Sequence, residues 1–304
     1  MSAGAALAVE VPVQASAPRW RVVRALARQE ARRHLRSPML PLGLAGFVYL
    51  AWVTRTSDDW SGIEYGGMPG AGVTLFLGVS LLVASSFRRE RAGLVEDAPT
   101  GETTRATGRL LGAGVLVLVV AAATAVQVMV MRAGGGVDLG DEPGRTLHAH
   151  HTLPEVLQPV CVALVAVALG ALLGRRVQQR AATTIALFAF WYLTAGITWL
   201  FQAAPVRPWS IVMVHPVEVR VGPHSADPLT FPEEWLLSAP DAYEPFWGRL
   251  VVSPELATAH DMWLIGLACV LVAFALPRRT RGRLLVVGGM VAAVAVIAQY
   301  AVAP

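Results

Sequence analysis

Apolar and polar residues alternate along this chain in blocks far longer than a strand or an ordinary globular helix. Seven apolar blocks run Pro38–Val53, Gly70–Phe87, Leu110–Met131, Glu155–Gly174, Ala181–Ala203, Met262–Leu276 and Leu284–Val302. A helix needs about 20 apolar residues to cross a hydrocarbon core of ~30 Å, and ~17 suffice at the short end. The pattern predicts an all-α fold: a polytopic α-helical membrane protein with about seven transmembrane helices over 38–304. The first, second and sixth blocks are the shortest.

Ahead of the first block the period changes to that of an amphipathic helix. Arg21, Arg24, Arg28, Arg32 and Arg36 fall within one third of a helical wheel. Trp20, Val23, Leu26, Ala27, Ala31 and His34 fall opposite them. Residues 19–37 therefore read as a basic interfacial helix, with Trp20 and the apolar side toward the bilayer and the guanidinium groups toward lipid phosphates. Ser37-Pro38 ends it. Residues 1–18 show no periodicity and no basic region before an apolar core, so they read as a disordered cytoplasmic tail rather than a cleaved signal.

Charge orients the bundle. Every basic residue is arginine, and 19 of the 25 fall in the segments before the first block, between the second and third, the fourth and fifth, and the sixth and seventh. The other four segments carry six, although one of them is nearly 60 residues long. Basic residues of short loops stay cytoplasmic, which puts the N-terminus inside and the C-terminus outside. Acidic residues split the other way, 15 outside and 6 inside. The net charge of +4 is thus an average over two faces and implies no nucleic-acid partner. A hydrophobic share of 55%, a charged share of 15% and a mean hydropathy of +0.53 do not describe a soluble globular domain of this length. The arginine, alanine and valine richness fits a GC-rich bacterial genome.

Several chemistries are excluded by what is missing. Without lysine there is no phosphate-binding loop of the Gly-x-x-x-x-Gly-Lys-Ser/Thr kind, so any ATP must be hydrolysed by another chain. No His-Glu-x-x-His or Gly-x-Ser-x-Gly motif occurs, and no catalytic residue is assigned. None of the apolar blocks carries Asp, Arg or His well inside it, which argues against an ion-coupled pump. Cys161 and Cys269 read as small buried apolar side chains. Thr183, Thr184, Thr194, Ala195, Gly196 and Thr198 in the fifth block allow close helix approach, either within one subunit or between two.

The segment between the second and third blocks, residues 88–109, is short, charged and patterned. It carries Arg88, Arg89, Glu90, Arg91, Gly93, Glu96 and Pro99, then Arg105 and Arg109. With the basic helix ending in Arg-Ser-Pro and two spans before it, the chain resembles the permease subunits of the type-2 ABC transporter family. The resemblance rests on Gly93, Glu96 and Pro99 of the family's Gly-Thr-x-Glu…Pro pattern, with Leu94 in place of the threonine. It extends to the third to fifth blocks and to Pro205–Pro216. It implies a six-helix permease core, here with one extra C-terminal helix, and interfacial or re-entrant helices near Pro205–Pro216. It also implies that residues 88–109 form a coupling loop docking on a separate cytoplasmic ABC ATPase, which binds the ATP and Mg. A second permease copy or paralogue would complete the path, surrounded by membrane lipids. This chain would bind no cofactor itself and would be an exporter subunit of a bacterial cell membrane. The alternative is a non-transporting membrane scaffold or sensor that recruits a cytoplasmic partner through the same arginine loops.

The long loop 204–261 is rich in Pro, Trp and acidic residues. Trp209, Phe231, Trp235, Tyr243, Phe246, Trp247 and Trp263 suit short helices lying at the outer headgroup layer, either as a packed cap or as an exit lip. His148, His150 and His151 form a tight group that could hold copper or zinc, although a fourth ligand at fixed spacing is missing; a solvated polar loop is the competing reading.

Overall fold

The computed structural model describes residues 19–55, 68, 70–89, 101–134, 151–200, 209–214, 217–232, 237–238, 245–251 and 253–302. Among the described residues, eight α-helices span α1 Arg19–Leu35, α2 Met39–Arg55, α3 Val73–Arg88, α4 Glu102–Ala133, α5 Leu153–Arg176, α6 Arg180–Leu200, α7 Pro254–Ala275 and α8 Arg278–Val302. Between α6 and α7 lie strands β1 Val217–Pro223, β2 Leu237–Ser238 and β3 Phe246–Val251. The expected tail 1–18 lies outside the described residues.

This is a helical, multi-pass membrane protein. Among the described residues five helices are long and apolar enough to cross a bilayer: Gly70–Arg88, Glu102–Ala133, Leu153–Arg176, Pro254–Ala275 and Arg281–Val302. The first expected span falls on α2, 17 residues long. Helix α2 is bent 55° from α1 at the Ser37-Pro38 break, and the pair passes the same test when taken together. The fifth falls on α6, 21 residues long, which runs into residues outside those described. Helix α4 has 32 residues. At 1.5 Å per residue that is about 48 Å, well beyond a ~30 Å core, so part of it projects past the bilayer.

Helix α3 is the axis of the bundle, with α2, α4, α5 and α6 packed around it; α7 packs on α5, and α8 on α7. Small residues set these distances. A Cβ at Gly170 would collide with the Ser80 carbonyl, and one at Gly174 with the Ala84 carbonyl, so α5 and α3 touch backbone to backbone. A Cβ at Gly266 would lie 2.6 Å from the Ala292 nitrogen, giving α7 and α8 the same kind of contact. Where lipid tails are as apolar as leucine, such close approach is a main source of helix association. Polar side chains add to it: buried Trp191 of α6 donates from Nε1 to Ser80 Oγ at 3.0 Å, and Ser80 Oγ donates to the Ala166 carbonyl at 3.0 Å. The opposite faces are apolar and exposed, as on α8 (Val286, Met290, Val294, Ile297) and α4 (Leu118, Val126, Met129). They suit contact with lipid.

Two expectations need correcting. The aromatic loop holds a three-stranded antiparallel sheet, ordered β1-β3-β2, rather than the expected short helices. The register between β1 and β3 shifts between Arg220 and Gly222. Buried Trp247 belongs to this cap and donates from Nε1 to the Ala226 carbonyl at 2.9 Å. Trp209 is exposed and makes an edge contact with Trp263 of α7, while Trp235 and Tyr243 lie outside the described residues. The sixth span also starts earlier than its hydropathy indicates. Ser253 caps α7, its Oγ accepting from the Leu256 N–H, with Pro254 in the first turn. His260 and Asp261 therefore lie inside the helix and are buried. The spans are not free of ionisable residues.

Candidate functional site

The bundle has two unlike ends. One carries the sheet; the other gathers the arginine-bearing segments, and there buried charge tightens the packing.

Helix α1 lies along the projecting part of α4. Its Val23, Glu30 and His34 are buried, and two glycines of α4 let it in. A Cβ at Gly108 would lie 2.7 Å from Leu26 Cβ, and one at Gly112 2.8 Å from the Ala27 carbonyl. The face opposite the arginines thus packs on protein. Arg21, Arg24, Arg28 and Arg32 remain exposed, and Arg28, Arg32, Arg33 and Arg36 line an open groove with Ala25 and Gln29. Trp20 is exposed at the start of the helix, where an indole can enter a headgroup layer.

Glu30 sits at the centre of this docking. Its Oε2 accepts from Ser86 Oγ at 2.8 Å and from Arg89 at 2.9 Å, and its Oε1 accepts from Arg33 at 2.8 Å. Burial pushes this carboxyl up, but the Ser86 hydrogen bond and the charges of Arg89 and Arg33 outweigh it. The net result is a value below the ordinary 4.5. His34, one turn on, is pushed below its ordinary 6.5 by burial and by Arg89, against the pull of Glu30. Its Nε2 has no hydrogen-bond partner among the described residues. Arg89 and Arg33 are half-exposed, so the charge is fixed on its buried side and hydrated on the other.

A second clamp lies at the far end of the same segment. Arg175, in the last turn of α5, pairs with Glu102, the first residue of α4. It also donates to the Ala275 carbonyl at the end of α7, at 2.7 Å. A cation there satisfies an orphan carbonyl and opposes the negative end of the helix dipole. Between the clamps, Arg109 lies over the Phe87 ring at 5.9 Å.

Of the expected loop residues, Arg88 and Arg89 are described, and Arg89 is the one tied to α1. Glu90, Arg91, Gly93, Glu96 and Pro99 lie outside the described residues. The residues that pin the loop, Glu30, Ser86, Glu102 and Arg175, were not singled out from sequence. Glu30 could have been: it stands seven residues after Val23 and four before His34, on the apolar side of the wheel.

Of the histidine group only His151 is among the described residues. His148 and His150 lie outside them, His151 is buried, and its carbonyl is 3.5 Å from Arg132. Glu155 is engaged in a capping box, its Oε2 accepting from the Thr152 N–H and Oγ at 2.7 Å. No group of three or more His, Cys, Asp or Glu among the described residues could hold a metal ion. The two cysteines are unbridged.

No family model matches this chain, and no curated protein matches it either.

Proposed function

We propose that this chain is the membrane-spanning permease subunit of an ATP-driven exporter of the type-2 ABC class. It sits in a bacterial cytoplasmic membrane with its arginine end inside. Residues 88–109 couple it to a separate cytoplasmic ATPase, which binds the ATP and Mg, and a second permease copy or paralogue completes the path.

The observation that carries this reading is the double clamp. One end of the 88–109 segment is tied through Arg89 to Glu30 of α1, the other through Glu102 to Arg175 of α5 and from there to α7. A partner that displaces the segment pulls on α1 at one end and on the α5–α7 pair at the other, shifting the two against each other as rigid bodies between packed states. A passive turn between two spans needs no such attachment. The lack of lysine adds support, because it leaves nucleotide hydrolysis to another chain.

The test is to purify the chain in lipid nanodiscs alone and after co-expression with a candidate ATPase, and to measure hydrolysis. The lone chain is expected at background and the complex above it. Robust hydrolysis by the lone chain refutes the assignment. A partner that binds but whose nucleotide cycle leaves the distance between α1 and α5 unchanged, by spin-label spectroscopy, favours the scaffold alternative.

A further inference from the structure

At the sheet end a second buried polar group lies between α5, α7 and α8, beneath residues 209–214. Gln158 and Cys161 stand one turn apart on α5; His260 and Asp261 are adjacent on α7; Gln299 lies near the end of α8. All are more than nine-tenths buried, among Val162, Val212, Leu264 and Ala295. Gln158 Nε2 donates to the Val212 carbonyl at 2.8 Å. His260 Nδ1 is 3.1 Å from Gln299 Oε1, and its ring contacts Trp263. Asp261 is a neighbour of Cys161 on α5.

Gln158 Oε1, Asp261 Oδ1 and Gln299 Nε2 have no hydrogen-bond partner among the described residues. Nor do the described residues offer Asp261 an ion pair, although the arginine end satisfies Glu30 with two. Groups that titrate stand on each helix around it. On α5 these are Cys161 and Glu155, the latter held by Thr152; on α7, His260 and the exposed Glu255; on α8, the exposed Tyr300. Residues 209–214 carry none. A carboxylate buried with no cation is far more costly than its neutral acid. Unpaired amides in the same buried group are the usual seat of buried water, which needs two to four polar partners.

We infer that Asp261 is a proton-binding site enclosed by α5, α7 and α8. The carboxyl carries a proton while these helix ends are closed, with the Cys161 thiol as its neighbour and the amides of Gln158 and Gln299 in the same buried group. Separation of the helix ends hydrates the carboxyl, and the proton leaves as the carboxylate forms. Closure and proton uptake are therefore linked, each favouring the other to the same extent.

Infrared difference spectroscopy of the full chain in nanodiscs, titrated from neutral to alkaline pH, tests this. A carbonyl band of a protonated carboxylic acid is expected at neutral pH, absent in Asp261→Asn. Cys161→Ala removes the thiol beside the carboxyl and should move the band to higher frequency, while Cys269→Ala should not. If Asp261→Asn does not fold, the cysteine pair decides alone. A spectrum without such a band overturns the inference, as does one that Asp261→Asn leaves unchanged. A band on which Cys161→Ala and Cys269→Ala have the same effect overturns it too.

Discussion

Glu30 of α1 and Arg89 at the end of α3 are 59 residues apart in sequence and 2.9 Å apart in space. The pair joins the helix that enters the bundle to the segment that leaves its central helix. It is half-buried: the carboxylate is inside, the guanidinium at the water. Removing Arg89 leaves the buried Glu30 carboxylate with Arg33 as its one remaining cation, and removing Glu30 takes the shared acceptor from Ser86, Arg89 and Arg33. Glu30→Ala and Arg89→Ala should therefore both release α1 from α4. Faster amide hydrogen exchange in 19–35 is the expected readout, with α5 and α7 little changed. Unaltered exchange in α1 would show that the glycine contacts suffice.

The same site sets a pH dependence. His34 has its value lowered, so as pH falls through 6.5 the undocked chain takes up that proton first and docking weakens. Glu30 is also lowered, so its contribution is complete above 4.5 and is lost as pH falls through its own lower value. Both signs agree: α1 docking is full at neutral pH and declines on acidification in two stages. His34→Gln should remove the upper stage and Glu30→Gln the lower one, measured by hydrogen exchange or limited proteolysis near Ser37.

Close packing at the bundle axis gives a third expectation. Gly170→Ala places a methyl group against the Ser80 carbonyl, and backbone cannot yield as a side-chain tip can. A loss of about 1–3 kcal/mol is expected, read as a lower Tm in micelles. Gly114→Ala on α4 meets nothing within 4 Å, so helix propensity alone acts and stability should rise by up to about 1 kcal/mol.

Ser80 and Trp191 supply a coupled pair. Ser80→Ala leaves the buried indole N–H without its acceptor, at a cost of about 1–3 kcal/mol. Trp191→Phe in the same chain removes the stranded donor. The double variant should then lose less than the two singles added. Strict additivity in denaturant titration would contradict the bond.

Much of this architecture was legible in hydropathy, because a bilayer forces long apolar helices and leaves little room for alternatives. The Leu153–Arg176 and Arg278–Val302 helices lie where their apolar blocks indicate. Hydropathy fails where polarity and helix coexist. Helix α7 opens with two polar turns, so its apolar block began at Met262 and left His260 and Asp261 outside; the Ser253-Pro254 cap carried the true start. The sheet was signalled by the alternation Val217, Glu218, Val219, Arg220, Val221, a period of two that an aromatic count overlooks. The clamps were not legible: the pairing of Arg175 with Glu102 depends on which helix ends meet, and spacing along one chain does not contain that.

Orientation is tested by labelling. A cysteine at exposed Gln178, between α5 and α6, should resist an impermeant maleimide applied from outside, while one at exposed His224 should react. The reverse pattern would invert the arginine end and remove the basis for a cytoplasmic partner.

The coupling role itself is most directly tested by charge reversal within the clamped segment. Breaking one desolvated charge pair at an interface typically costs about 2–5 kcal/mol, enough to release a partner without unfolding a bundle held elsewhere. Glu96→Arg should leave expression and membrane insertion near the wild-type level and abolish co-purification of the ATPase. Asp241→Arg, in the loop at the sheet end, should leave that co-purification intact. Retention of the ATPase by Glu96→Arg together with its loss in Asp241→Arg would contradict both the orientation and the role assigned to residues 88–109.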